Sequence, residues 1–204
     1  QQEQQSLEVL PKVTLDDVPR EARDYPLTQK RVGDLELFHH ECFTNGIAYL
    51  EWVNDLAHVD DQDLSLVRLF SVLLPQVGCG GRTYLETLEY MQRYTGGVDL
   101  ALGLNVQAGD HQRFQPTVHL RGKALAHNAD KLCTLMKEMI ASGDFTDTAR
   151  IKEVLYKHYT ALESAISRKA MSYALTLSAS GLSGHSALTY QWQGLQYYWR
   201  VKEL

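Results

Sequence analysis

The chain has 204 residues, 44% of them hydrophobic and 22% charged, with a net charge of -5. That is enough for one domain, or a domain with an appendage, around its own core, and it excludes a disordered, collagenous or coiled-coil chain. No Lys/Arg stripe offers a field to nucleic acid or an anionic membrane, no apolar run is long enough to span a bilayer, and the start Gln1-Gln-Glu-Gln-Gln5 is polar and unlike a signal peptide.

Residues 1–10 contain good helix formers and end at Val9-Leu10-Pro11, the way a helix finishes, so the expectation is a helix whose beginning lies upstream. Residues 12–26, with Pro19, Pro26 and several Asp, read as an extended connector. Residues 1–26 are therefore expected to be the end of a linker helix and a connector, and residues 27–204 a single α/β domain. Leu35-Glu-Leu-Phe-His-His40 is a candidate strand, with Thr44-Asn45-Gly46 turning it back onto residues 46–56, which are rich in Ile, Tyr, Trp and Val and predicted as the central strand.

An acidic start at Asp60-Asp61-Gln62-Asp63 opens a helix with Leu64, Val67, Phe70, Leu74 and Val77 on one side. After Gly78-Cys79-Gly80-Gly81, Thr83 and Glu86 form a capping box for a second helix that stops at Gly96-Gly97. Val98, Leu100, Leu102, Leu104 and Val106 then alternate with Asp99, Ala101, Gly103, Asn105 and Gln107. Phe114, Pro116, Val118 and Leu120 repeat this against Gln115, Thr117, His119 and Arg121. The spacing predicts a hairpin with one apolar and one polar face, helices covering only the apolar side, and Pro116 at an edge or bulge. Asn128 caps a helix with a Leu132, Leu135, Met136 and Met139 core face, ended by Ser142-Gly143. From Asp147 a helical pattern runs without Gly or Pro to Gly181, about 50 Å if unbroken. Residues 187–204 close the chain with Tyr190, Trp192, Leu195, Tyr198 and Trp199 around Gly194. The fold class is α/β (α+β): two layers, a mainly antiparallel or mixed sheet with helices on one face.

Chemistry is sparse. Cys42, Cys79 and Cys133 are odd in number and in no CxxC spacing, which argues against a disulfide framework or zinc ribbon and points to a reducing compartment. His39 and His40 are neighbours on a strand and point to opposite faces, so with Glu41 and Cys42 they do not make one metal site. Gly78-Cys79-Gly80-Gly81 lacks the P-loop Lys-Ser/Thr and reads as a tight turn. Cys79 reads as a turn residue, Cys133 as a helix core residue and His158 as a packed histidine. No catalytic, metal or cofactor-binding residue is assigned.

Thr44-Asn-Gly-Ile-Ala-Tyr49, Leu69-Phe-Ser-Val-Leu73 with Gly78-Cys-Gly80, and Tyr94-Thr-Gly-Gly97, in that order and spacing, resemble the third domain of presequence proteases, zinc metallopeptidases of the pitrilysin/insulinase superfamily. Leu10-Pro-Lys-Val-Thr-Leu-Asp-Asp17 resembles the point where that family's helical linker ends. The resemblance implies a pitrilysin/insulinase-type domain, one of four closing around a chamber where unfolded peptides are cleaved. It also implies zinc held by His-x-x-Glu-His in the parent's first domain. This sequence contains no such motif; superposed on the Cys79-Gly80 turn, its positions fall at Ser71, Leu74 and Pro75, and Pro75 is expected to end or kink the helix. The implied role is a non-catalytic domain, inactive alone and without a cofactor of its own. Its partners would be the remaining domains of the parent chain and peptide substrates, with neither nucleic acid nor membrane, in a bacterial cytoplasm or an organelle matrix. The polar hairpin face (Asp99, Asn105, Gln107, Thr117, His119, Arg121) is expected to look into the chamber or onto a neighbouring domain. Two other readings are a protein-interaction or assembly domain of the same fold, and an independent hydrolase using Cys79 or His39/His40.

Overall fold

The structure, a computed structural model, describes residues 13–21 and 24–204; the expected end of a helix over residues 1–10 lies outside them. The chain is α+β and divides into two compact units, Gln1–Asn45 and Gly46–Leu204. In the first, β1 (Leu27–Val32) and β2 (Leu35–His40) form an antiparallel hairpin from Leu27↔His40 to Val32↔Leu35. The predicted pairing of residues 35–40 with the strand after Gly46 is thus incorrect. Gly33-Asp34 is the hairpin turn, with Gly33 at a φ of 62°, and a two-residue loop of this kind joins the nearest strands in sequence.

The second unit begins with β3 (Ile47–Asp55), α1 (Asp61–Leu73), a 3-10 turn (Leu74–Gln76) and β4 (Gly78–Cys79). It continues with α2 (Tyr84–Tyr94), β5 (Val98–Gln107), β6 (Asp110–Leu125) and α3 (Ala129–Ser142). Last come β7 (Gly143–Asp144), α4 (Thr148–Arg168), α5 (Ala170–Ala179), α6 (Gly184–Gln193) and α7 (Leu195–Lys202). The main sheet is antiparallel in the order β3-β6-β5, with β4-β7 as a small separate ladder. β3 is therefore an edge strand and β6 the central one, the reverse of the expectation. Strand propensity reports how well a residue fits a pleated, half-buried surface rather than its place in the sheet. Pro116 is tolerated in the central strand because β3 ends beside it: its carbonyl accepts from Leu56 N at 2.9 Å, so its donor-less nitrogen faces the same side, past the last β3 pair, Asp55↔Thr117.

Alternation along β5 and β6 places the even-numbered residues under the helices. Val98, Leu120 and Ala124 are buried with Leu132, Leu135, Met136 and Met139 of α3 and with Cys79. Further along the same face, Leu102, Leu104, Phe114 and Val118 pack on Leu56, Leu64, Leu188 and Trp192, and so on α1 and α6. Trp192 Nε1 donates to Leu64 O at 2.8 Å, so the largest buried side chain also meets its polar obligation. The Thr83–Glu86 box is formed, with Thr83 N donating to Glu86 Oε2 at 2.8 Å and Glu86 N to Thr83 Oγ1 at 3.4 Å.

Three local expectations change. The long helix is two, because Lys169 leaves helical geometry (φ -116°, ψ 24°). Lys169 N still donates to Ala165 O and its carbonyl still accepts from Tyr173 N, so the bend loses little and needs no Gly or Pro. Asn128 precedes α3 but makes no side-chain cap bond. Cys133 is exposed, one position off the face carrying Leu132, Leu135 and Met136. Leu135→Ala is expected to lower stability in urea denaturation by about 2–5 kcal/mol through lost burial and a cavity, whereas Cys133→Ala changes it by no more than about 0.5 kcal/mol.

Candidate functional site

The odd-numbered residues of β3, β5 and β6 share the sheet face away from the helices, and a directed hydrogen-bond chain crosses it. Asn105 Nδ2 donates to Thr117 Oγ1 at 3.2 Å, Thr117 Oγ1 meets His119 Nε2 at 2.7 Å, His119 Nδ1 meets Glu51 Oε1 at 2.7 Å, and Arg121 Nε donates to the same carboxylate oxygen at 2.6 Å. An ionised carboxylate only accepts, so Nδ1 of His119 carries a proton and, in the neutral ring, Nε2 accepts from the Thr117 hydroxyl. Burial opposes ionisation of Glu51, but the hydrogen bonds from Arg121 and His119 outweigh it and hold the carboxyl below its ordinary value of 4.5.

Gly103 makes room for this chain. A Cβ there would lie 2.6 Å from both His119 Nε2 and Thr117 Oγ1. A hydroxyl, an imidazole and a carboxylate in line is the geometry of an activated nucleophile. Here Thr117 is only 4% exposed and its oxygen already accepts from Asn105, so the chain fixes side chains rather than attacking a substrate. Beyond Arg121, a groove of about 390 Å³ opens between Tyr49, Gly97, Asp99 and Lys123. Of the expected face residues, Asn105, Thr117, His119 and Arg121 are brought together in the chain and Asp99 lines the groove; Gln107 is not part of either. Glu51 and Lys123 were missed by the sequence reading: Glu51 lies on a different strand, and Lys123 lies beyond the predicted alternation.

His39 and His40 occupy consecutive positions of β2 and are exposed, and among the described residues no group of three or more His, Cys, Asp and Glu side chains could hold a metal ion. Cys79 is buried, with its N–H donating to Thr87 Oγ1 at 3.3 Å. Gly80 (φ 60°) and Gly81 (φ 77°) turn the chain back, and a Cβ at Gly80 would meet the Glu138 carboxylate, which is paired with Arg82. The glycine-rich stretch is a packed turn. His158 Nε2 meets Tyr197 Oη at 2.8 Å; burial and then nearby Arg68 lower the His158 pKa, and burial pushes Tyr197 up to about 12, as for a packed pair. A second cavity of about 380 Å³ lies beside Gln76, Tyr84 and Arg150. Arg150 stacks on Tyr84 at 3.6 Å and spends its nitrogens on Gln76 and Glu153.

The positions matched to a zinc motif do not fit a metal. Ser71 is buried with Oγ donating to Arg68 O at 2.7 Å, Leu74 is buried, and α1 ends at Leu73 with Pro75 in the 3-10 turn that follows.

The family model described as Peptidase M-16C associated matches residues 1–204. Presequence protease 1, chloroplastic/mitochondrial, of Arabidopsis thaliana is 27% identical over 95% of this chain and 18% of its own length. The mitochondrial presequence protease of Aspergillus fumigatus is 25% identical over 93% of this chain and 18% of its own. Protein HypA of Clostridium perfringens is 24% identical over 95% of this chain and 20% of its own. The chain thus spans about a fifth of the length of these relatives.

Two outcomes test the hydrogen-bond chain. Thr117→Val leaves His119 Nε2 without its donor and is expected to cost about 1–3 kcal/mol in urea denaturation. Because the Glu51 pKa is lower in the folded chain, the stability it contributes is present above pH 4.5 and is lost as pH falls through the lowered value. The gap between wild type and Glu51→Gln is therefore expected to be larger at about pH 7 than at about pH 3.

Proposed function

The chain belongs to the family of peptidase-associated domains described as Peptidase M-16C associated, and from that premise we propose that it is a non-catalytic domain of a larger, presequence-protease-like zinc metalloendopeptidase. The observation that carries the reading is the match of a peptidase-associated family over residues 1–204. Ser71, Leu74 and Pro75 add support: none of them can bind zinc or activate water at the positions where the resemblance would put the motif. Zinc and the general base then belong to another domain of the same polypeptide, and no step of peptide hydrolysis runs through these residues.

In this reading the domain supplies a wall to a chamber that holds unfolded peptides. The wall is the open sheet face, where the Asn105–Thr117–His119–Glu51 chain keeps Arg121 in place beside Tyr49, Asp99 and Lys123. Charged groups held rigidly at a surface attract and orient an extended peptide without spending binding energy on ordering themselves. The names of the plant and fungal relatives are chloroplastic or mitochondrial, which supports an organelle as the setting; a bacterial cytoplasm is the other setting of this reading.

Residues 1–204 alone are expected to be inert and free of stoichiometric zinc, while the longer natural chain binds zinc and cleaves peptides; zinc analysis and a peptide-cleavage assay on both decide it. Stoichiometric zinc or cleavage by residues 1–204 alone would overturn the reading. In the longer chain, Arg121→Glu with Lys123→Glu is expected to change kcat/KM for a charged peptide by about tenfold with the zinc content unaltered. Unchanged kinetics would remove the sheet face from the proposal.

A further inference from the structure

Helix α5 has the composition of a buried helix and the exposure of a surface one. Its sequence, Ala-Met-Ser-Tyr-Ala-Leu-Thr-Leu-Ser-Ala, has no charged side chain, yet Tyr173 is its only buried residue. Met171 is 74% exposed, Leu175 62% and, in the turn after the helix, Leu182 76%. Met171, Leu175 and Ser178 follow one another at helical spacing, so they form one uncharged stripe, and Leu182 is exposed in the turn that follows. No Asp, Glu, Lys or Arg occurs from Ala170 through Trp199. In α6, and in α7 up to Trp199, the lack of charge is explained by burial of Leu188, Trp192, Tyr197 and Tyr198. In α5 nothing among the described residues explains it.

We propose that this stripe is an intramolecular docking surface, covered by an uncharged apolar segment of the same polypeptide lying outside residues 1–204. The proposal rests on the reading of the chain as one part of a longer protein, and it adds which face holds the rest. Two observations choose this occupant. The relatives are far longer than this chain, which covers 18% of the first two, so a longer polypeptide has the material. The stripe is also too small for a stable dimer. Ten helical residues about 15 Å long on a helix about 10 Å wide present a face on the order of 150 Å², well short of the roughly 800 Å² that each partner in a stable complex buries. A tethered segment needs no such area, because its effective concentration is set by the chain. A face without a charged rim fits a permanent contact resembling a divided core rather than a transient one.

Hydrogen–deuterium exchange tests it, comparing residues 1–204 with the full natural polypeptide. Amides of residues 171–182 are expected to exchange about tenfold or more slowly in the longer chain, and Leu175→Glu to abolish that difference while leaving exchange in α3 unchanged. Equal exchange at residues 171–182 in the two chains would overturn the proposal. So would protection within residues 1–204 alone that rises with concentration alongside a doubled mass in light scattering, since the occupant would then be a second copy. A natural product no longer than these residues would instead defeat the reading on which the proposal rests.

Discussion

The second unit depends on the register of β6. This sixteen-residue strand pairs along one edge with β3 and along the other with β5, and its alternation serves two opposed requirements. Val118, Leu120 and Ala124 face the helices and belong to both parts of the core. Thr117, His119, Arg121 and Lys123 face away. A slip of one residue would bury an arginine and a lysine and expose the core at the same stroke, so burial on one face fixes the chemistry of the other.

The polar face is organised rather than merely exposed. Glu51 receives both His119 and Arg121, and Gly103 leaves the space in which Thr117 and His119 meet. A partly buried polar network is stable only when its members are satisfied, and here Asn105 Nδ2, the Thr117 hydroxyl, His119 Nδ1 and Arg121 Nε each have an acceptor. That arrangement holds charges in position; it offers neither an accessible nucleophile nor a metal site. The packed cysteine–glycine turn, with Arg82 held between Glu138 and the Tyr90 ring, gives a similar answer on the helical side. Cys79 and His158 are committed to packing, whereas His39, His40 and Cys133 are exposed.

Two exposed surfaces therefore differ in kind. The sheet face is charged and ordered, suited to a mobile polar partner, whereas α5 is uncharged and apolar, suited to permanent cover. This contrast fits the proposed role within a larger polypeptide, with one side open to solvent and another toward the remainder of the chain. Function is assigned through that setting, since the fold alone specifies no chemistry.

Local patterns in the sequence determined a good deal. The alternation of residues 98–106 and 114–120 gave the hairpin and its two faces, the Thr83–Glu86 box placed α2, the spacing of Leu132, Leu135, Met136 and Met139 gave the buried side of α3, and Pro75 marked the end of α1. Each is a short-range signal, set by periodicity or by groups a few residues apart. Tertiary structure alone decided that β2 pairs with β1, that β3 lies at the edge, that the helix bends at Lys169, and that His119 and Arg121 find Glu51 about seventy residues away. Those outcomes rest on which surfaces meet, and packing between distant segments is not encoded in the local spacing of either.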